Sequence, residues 1–358
     1  MKNLKLKLTI IGISLLSINA FAQDYVYNGI KNVDATIGIN NSEGDSGQEI
    51  ISSDCYDPAN VGKRIQARGC ADLLIVDNNS LRQMVLNDEN YADTNIFTGQ
   101  VTDMSFLFCN YQYNNRCTLK EPLYSISNWN TENVLTMKSM FQLASNFNQD
   151  ISNWNTSNVK NMEVMFHSAA AFNQPLNNWD VSNVTDMRNL FSRSNFNRPL
   201  NNWNVSNVKD MSYLFAGTTF NQDINNWNVI NVTNMASIFS AASNFNQPLN
   251  NWDVSNVINM SFMFNAAINF NQPLNNWNVS NVTRMGGMFS YAYLFNQPLN
   301  NWNVSNVTDM IDMFKTGRNF EQDISSWCVP LISSIPSDFD FDSGFENQTN
   351  LQPNWGCN

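Results

Sequence analysis

Nine of the ten tryptophans recur at steps of 24 or 25 residues, at Trp129, Trp154, Trp179, Trp203, Trp227, Trp252, Trp277, Trp302 and Trp327. The unit around each is clearest as Phe172-Asn-Gln-Pro-Leu-Asn-Asn-Trp179-Asp-Val-Ser-Asn-Val184-Thr-Asp-Met187-Arg-Asn-Leu-Phe191. A unit this short cannot bury its own apolar residues, so successive copies must stack and share one elongated core.

Within the unit, Trp179 and Val181 alternate with Asp180 and Ser182, which predicts a short strand with one buried face. From Val184 the apolar spacing changes to three and four residues (Met187, Leu190, Phe191), as a short helix or 3-10 turn requires. Asn183 is placed to cap that helix, with Asp186 in the capping-box position. Pro175, Pro199, Pro248, Pro273 and Pro298 precede the strand, where a missing N–H does least harm. The expected fold class is an α/β repeat solenoid, with one short strand and one short helix or 3-10 turn per coil. Strands about 4.8 Å apart against helices about 8–10 Å apart would make such an array curve.

The chain opens with Lys2, Lys5 and Lys7, an apolar run from Leu8 to Ile18 and Ala20-Phe21-Ala22. This reads as a signal peptide, residues 1–22, cleaved near Ala22; the run is too short for a membrane span. Residues 23–70 are polar and expected to be irregular. Residues 71–122 read as an N-terminal cap, with a strand near Leu73–Val76, a helix near Leu81–Leu86, a degenerate first repeat ending at Phe108 and an insertion from Cys109 to Lys120. The regular array covers 123–327, and 328–358 form the C-terminal cap.

Six cysteines in an exported chain point to disulfides and allow 15 pairings. Cys55, Cys70, Cys109 and Cys117 precede the array, and Cys328 and Cys357 follow it. Nearest-neighbour pairing joins 55 to 70, 109 to 117 and 328 to 357, which places disulfides at both ends where a stack needs caps. The spacings match no zinc-ligand pattern.

The formal net charge is −11, and loss of the leader makes it more negative. Such a chain repels nucleic acid and anionic headgroups, and its single His167 leaves little for proton shuttling. No nucleophile–base pair or cluster of acids interrupts the repeat, so no enzyme and no cofactor are expected. Asp338, Asp340 and Asp342 form an Asp-x-Asp-x-Asp run, with Ser343 and Thr349 where a calcium loop would place Gly and Glu.

Asparagine fills a column before Trp (Asn178, Asn202, Asn226, Asn251, Asn276), another before Val (Asn183, Asn207, Asn231, Asn256, Asn281), and a third after the first Phe. Amides in register bond one another or the turn backbone; alternatively they form a flat polar face for a repetitive glycan or an ice-like surface. The column before Trp is the first candidate for that face. The recurring Trp and Met are read as core rather than as sugar platforms or metal ligands. Arg188, Arg193, Arg198 and Lys209 fall in adjacent units and either form a local basic patch or are simply solvated.

The repeat resembles that of BspA-like leucine-rich-repeat bacterial surface proteins, a repeat also found in mycoplasma lipoproteins of unknown function. The likeness covers about Asp72 to Trp327, including Asn79-Ser-Leu-Arg82 and Thr98-Gly-Gln-Val-Thr-Asp-Met104. It implies a leucine-rich-repeat-like fold and a secreted or cell-surface location. It also implies an adhesive role, with no catalytic residues to transfer. The expected function is an extended surface for adhesion to, or recognition of, an extracellular protein or glycan. An extracellular carbohydrate-active enzyme or accessory module, or a passive spacer, are the alternatives.

Overall fold

A computed structural model describes the backbone of residues 51–112 and 116–357 and the side chains of 51–109 and 120–357, all within the unit Ile50–Asn358. The expected signal peptide and residues 23–50 lie outside the described residues. The first described segment makes two 3-10 turns, Ser53–Tyr56 and Pro58–Asn60. A Cys55–Cys70 disulfide fastens it, and both cysteines pack with Ile75 and Phe97 in a small apolar cluster.

Strand β1 (Leu74–Ile75) pairs in parallel with β2 (Ile96–Phe97). Between them lies α1, Asn78–Leu86, which starts earlier than the apolar pattern indicated because Asp77 caps it. The Asp77 carboxylate accepts the Ser80 N–H, and Ser80 Oγ accepts the Asp77 N–H, which closes a reciprocal capping box. Leu81, Met84 and Val85 turn into the core. The insertion is an antiparallel hairpin of β3 (Cys109–Gln112) and β4 (Arg116–Leu119). At the far end β5 (Cys328–Val329) pairs in parallel with β6 (Asn354–Trp355), alongside a Cys328–Cys357 disulfide.

Between β4 and β5 the chain consists of tandem repeats built almost entirely from turns. The expected strand and helix of each coil are both missing there. Alternating burial survives, since Trp179 and Val181 are buried and Asp180 is exposed. The backbone around them closes tight turns instead, such as Trp179 N–H to Leu176 O and Val184 N–H to Val181 O. The helix is broken by left-handed residues, Asn189 (φ 56) and Arg193 (φ 56), and every coil repeats them. Asn183 and Asp186 accordingly do not cap a helix: Asn183 donates to Ser157 O of the coil before, and Asp186 Oδ1 accepts the Arg188 N–H two residues on.

The left-handed positions have a cause. The N–H groups of Met187, Asn189, Phe191 and Arg193 donate to the next coil, to the carbonyls of Asp210, Ser212, Leu214 and Ala216. The intervening amides of Leu190, Ser192 and Ser194 close turns onto Met187, Asn189 and Phe191. Alternate peptide groups thus run along the stack, and only a positive φ swings the chain between the two settings. For a non-glycine residue such as Val164 (φ 63) that costs roughly 1–2 kcal/mol, which the coil-to-coil bonds offset. A continuous line of parallel bridges, from Asp103 through Thr136, Asn161, Asp186, Asp210, Asn234, Asn259 and Arg284 to Asp309, fixes the register.

Inside this wall the aromatic columns stack. Trp203 and Trp227 lie 6.3 Å apart with planes 5° from parallel, and Phe191 and Phe215 lie 5.9 Å apart. The column of Phe191 is continuous with the next segment, since Phe191 and Phe196 stack at 4.1 Å. These spacings replace the 8–10 Å expected for helices, so most of the anticipated mismatch between the two sides is gone. Both ends stop the stacks with edge-on rings: Tyr91 against Trp129, and Phe339 and Phe345 against Phe314. The last forward-pointing N–H groups, of Asp312, Phe314 and Thr316, are taken by the carbonyls of Ser337, Phe339 and Phe341. Arg82 donates to Ser105 O at the opposite end.

Candidate binding face

One side of every coil presents the sequence from the asparagine pair before Trp to the residue after Val. Asn178, Asn202, Asn226, Asn251 and Asn276 are all exposed there, beside buried tryptophans. Each indole Nε1–H is used inward, as where Trp203 donates to Leu176 O at 2.8 Å, so these rings are core and offer no face to a ligand.

The asparagines divide by role. After the first Phe, Asn197 Oδ1 accepts both the Asn221 N–H at 3.0 Å and Gln222 Nε2 at 2.9 Å. Those amides are spent on holding coils together. Just before Trp, Asn202 N–H goes to Asn177 Oδ1 and Asn226 Nδ2 to Asn201 O. In the column before Val, Nδ2 of Asn231, Asn256 and Asn281 donates to the preceding coil at 2.8, 2.8 and 2.7 Å. This ladder uses one N–H of each amide, and no protein donor among the described residues meets the Oδ1 atoms.

Two shallow troughs lie on this side. One, of about 340 Å³, is lined by Asn177, Asn178, Trp179, Asp180, Val181, Asn202 and Asn204. The other, of about 530 Å³, is lined by Asn231, Thr233, Asn256, Ile258, Asn281 and Thr283. Sequence reasoning passed over the Thr233, Ile258 and Thr283 column. Its signal was an isoleucine standing in a threonine position with polar neighbours on both sides, a site the core does not need.

The arginines do not make one patch. Arg188 sits between Asp186 and Glu163, at 2.7 and 3.2 Å, and Lys138 also reaches Glu163 at 2.7 Å. Arg193 and Arg198 are exposed in different columns, and Arg198 Nε donates to Asn173 O. His167 lies on the wall with Nδ1 2.5 Å from Ser192 Oγ. Burial, with the charge of Arg193, lowers its pKa to about 4, and Ser192 is itself buried, with its Oγ donating to the Asn189 carbonyl. The three aspartates of the calcium-like run diverge: Asp338 pairs with Lys315, Asp342 with Arg318, and Asp340 accepts from Gln352. Cys109 is also disulfide-bonded, and the Cys117 side chain lies outside the described residues.

No helix among the described residues is long and apolar enough to cross a membrane. No curated protein and no solved structure matches the chain. One family does, along three overlapping stretches, residues 79–195, 176–267 and 245–355. These take in both troughs and the whole regular array, and the chain therefore belongs to the family described as Mycoplasma protein of unknown function, DUF285.

Proposed function

We propose that the chain is a secreted or cell-surface solenoid of leucine-rich-repeat-like design, related to BspA-like surface proteins, whose polar side binds an extracellular protein or glycan in adhesion or recognition. The observation that carries this reading is the row of outward amide oxygens on Asn231, Asn256 and Asn281, running beside a trough. The disulfides fit an oxidising, extracellular setting. Each coil adds one copy of the same surface, so affinity accumulates by repetition rather than through a single deep pocket.

The test is binding of labelled full-length protein to cells, to immobilised matrix proteins and to a glycan array, with a reducing-sugar assay in parallel. Saturable binding without release of reducing ends supports the proposal. Turnover by the purified chain points to the enzymatic alternative, and failure to saturate on any surface points to a passive spacer.

A further inference from the structure

We propose that the trough over Asn231, Asn256 and Asn281 is a site for a neutral linear glycan lying along the stack, about one sugar ring per coil; this rests on the binding role proposed above and names its ligand class. Because one N–H of every Nδ2 in the row is committed to the coil behind, the amide planes are fixed and each Oδ1 is left as an unmet acceptor beside the second N–H. A fixed row of acceptors selects a ligand with donors in the same register.

The second wall of the trough has a different character. Thr233 Oγ1 donates to Lys209 O and Thr283 Oγ1 to Ile258 O, each at 3.3 Å, which turns those hydroxyls along the stack. Between them Ile258 is 49% exposed. No charged side chain lines the trough. A row of acceptors beside an apolar strip, on an acidic chain, fits an uncharged polymer with hydroxyls along one edge and C–H groups on its face. That is the chemistry of linked pyranoses.

Spacing separates a glycan from a peptide. The trough floor is hydrogen-bonded backbone, Ile258 N–H to Thr233 O and Thr283 N–H to Ile258 O at 2.9 Å each, so coils here repeat at about 4.8 Å. A pyranose in a linear chain is close to that length. An extended peptide offers N–H groups on one edge only every second residue, roughly 6.5–7 Å, which falls out of step after one coil.

The experiment titrates the full chain with a panel of neutral linear hexasaccharides (cellohexaose, mannohexaose, xylohexaose, maltohexaose) and with hexagalacturonate, by calorimetry. The variants are Ile258→Asp and Thr283→Arg, with Ile311→Asp, 51% exposed and outside the trough, as control. Expected is saturable binding of at least one neutral hexamer, weakened at least tenfold by both trough variants and unchanged by the control, at unaltered melting temperature. Amide exchange on the unsubstituted protein, which needs no variant to fold, should slow around 256–260 and 281–285 when the hexamer is added. Undiminished binding by Ile258→Asp, protection elsewhere, or binding of hexagalacturonate alone overturns the inference. If every hexamer fails while cells or a matrix protein bind saturably, the inference falls and the broader role stands; if nothing binds, both fall.

Discussion

Trp203 Nε1 donates to the carbonyl of Leu176, one coil back, at 2.8 Å in the buried interior. The same bond recurs from Trp227 to Leu200, Trp252 to Ile224, Trp277 to Leu249 and Trp302 to Leu274. Tryptophan therefore serves the repeat in two ways: its area fills the core, and its one donor gives the Leu176 carbonyl a second bond, beside the Trp179 backbone N–H, that ties one coil to the next. Trp203→Phe keeps most of the apolar contact but removes the bond from the indole to the Leu176 oxygen, which the Trp179 N–H still reaches, and should cost about 0.5–1.5 kcal/mol. Trp203→Ala should cost more, about 3–5 kcal/mol. Urea denaturation read by circular dichroism checks both; a Trp203→Phe variant as stable as the unsubstituted protein would show that the hydrogen bond carries nothing.

The C-terminal disulfide closes a loop of 29 residues over the last aromatic rungs. Chain-entropy reasoning gives a loss of roughly 3–4 kcal/mol when it is opened. In a stack whose coils touch only their neighbours, that loss should appear first as fraying from the exposed end. For Cys357→Ser we expect faster amide exchange between Trp302 and Trp327, with little change around Trp179. Uniformly faster exchange would mean that the array unfolds as one unit.

Which residues are buried was legible in the sequence because burial follows from spacing alone. Trp179, Val181, Val184, Met187, Leu190 and Phe191 are all in the core. What the backbone does between them was not legible. Three- and four-residue spacing fits a helix, and it fits equally a chain of turns with left-handed residues at Asn189 and Arg193. Helix propensity reads a coil in isolation, whereas those φ values are set by bonds to the neighbouring coil. Of the binding face, the asparagine columns were visible as repetition. Which half of each amide is spent depends on a partner 25 or 26 residues away, and only the fold supplies that.

His167 gives the chain an acid sensitivity of its own. Its pKa is lowered from 6.5 to about 4, first by burial and then by Arg193. A base held neutral by folding favours the native state fully above pH 6.5; as pH falls toward 4 the unfolded chain takes the proton first and that contribution is lost. The full effect is on the order of 3 kcal/mol. His167→Gln should therefore show a flatter fall in urea midpoint between pH 6.5 and pH 4.5 than the unsubstituted protein. Parallel curves for the two would place the acid sensitivity in the carboxylates.

Gly287 stands where its neighbours along the column carry side chains, with φ 61, and a Cβ there would come within 2.3 Å of the Phe262 ring. The backbone setting alone does not demand glycine, since Tyr213 and Asp312 occupy the same column at φ 58 and 56. The demand comes from Phe262, a ring 39% exposed on the wall, which lies over the glycine in the next coil. Gly287→Ala should thus cost about 1–2 kcal/mol from conformation and a further 1–3 from the clash. Phe262→Ala removes only the second part, so in the double variant the penalty of Gly287→Ala should shrink by 1 kcal/mol or more. A double-mutant cycle in urea measures that coupling, and additive losses would show that the ring moves aside without cost.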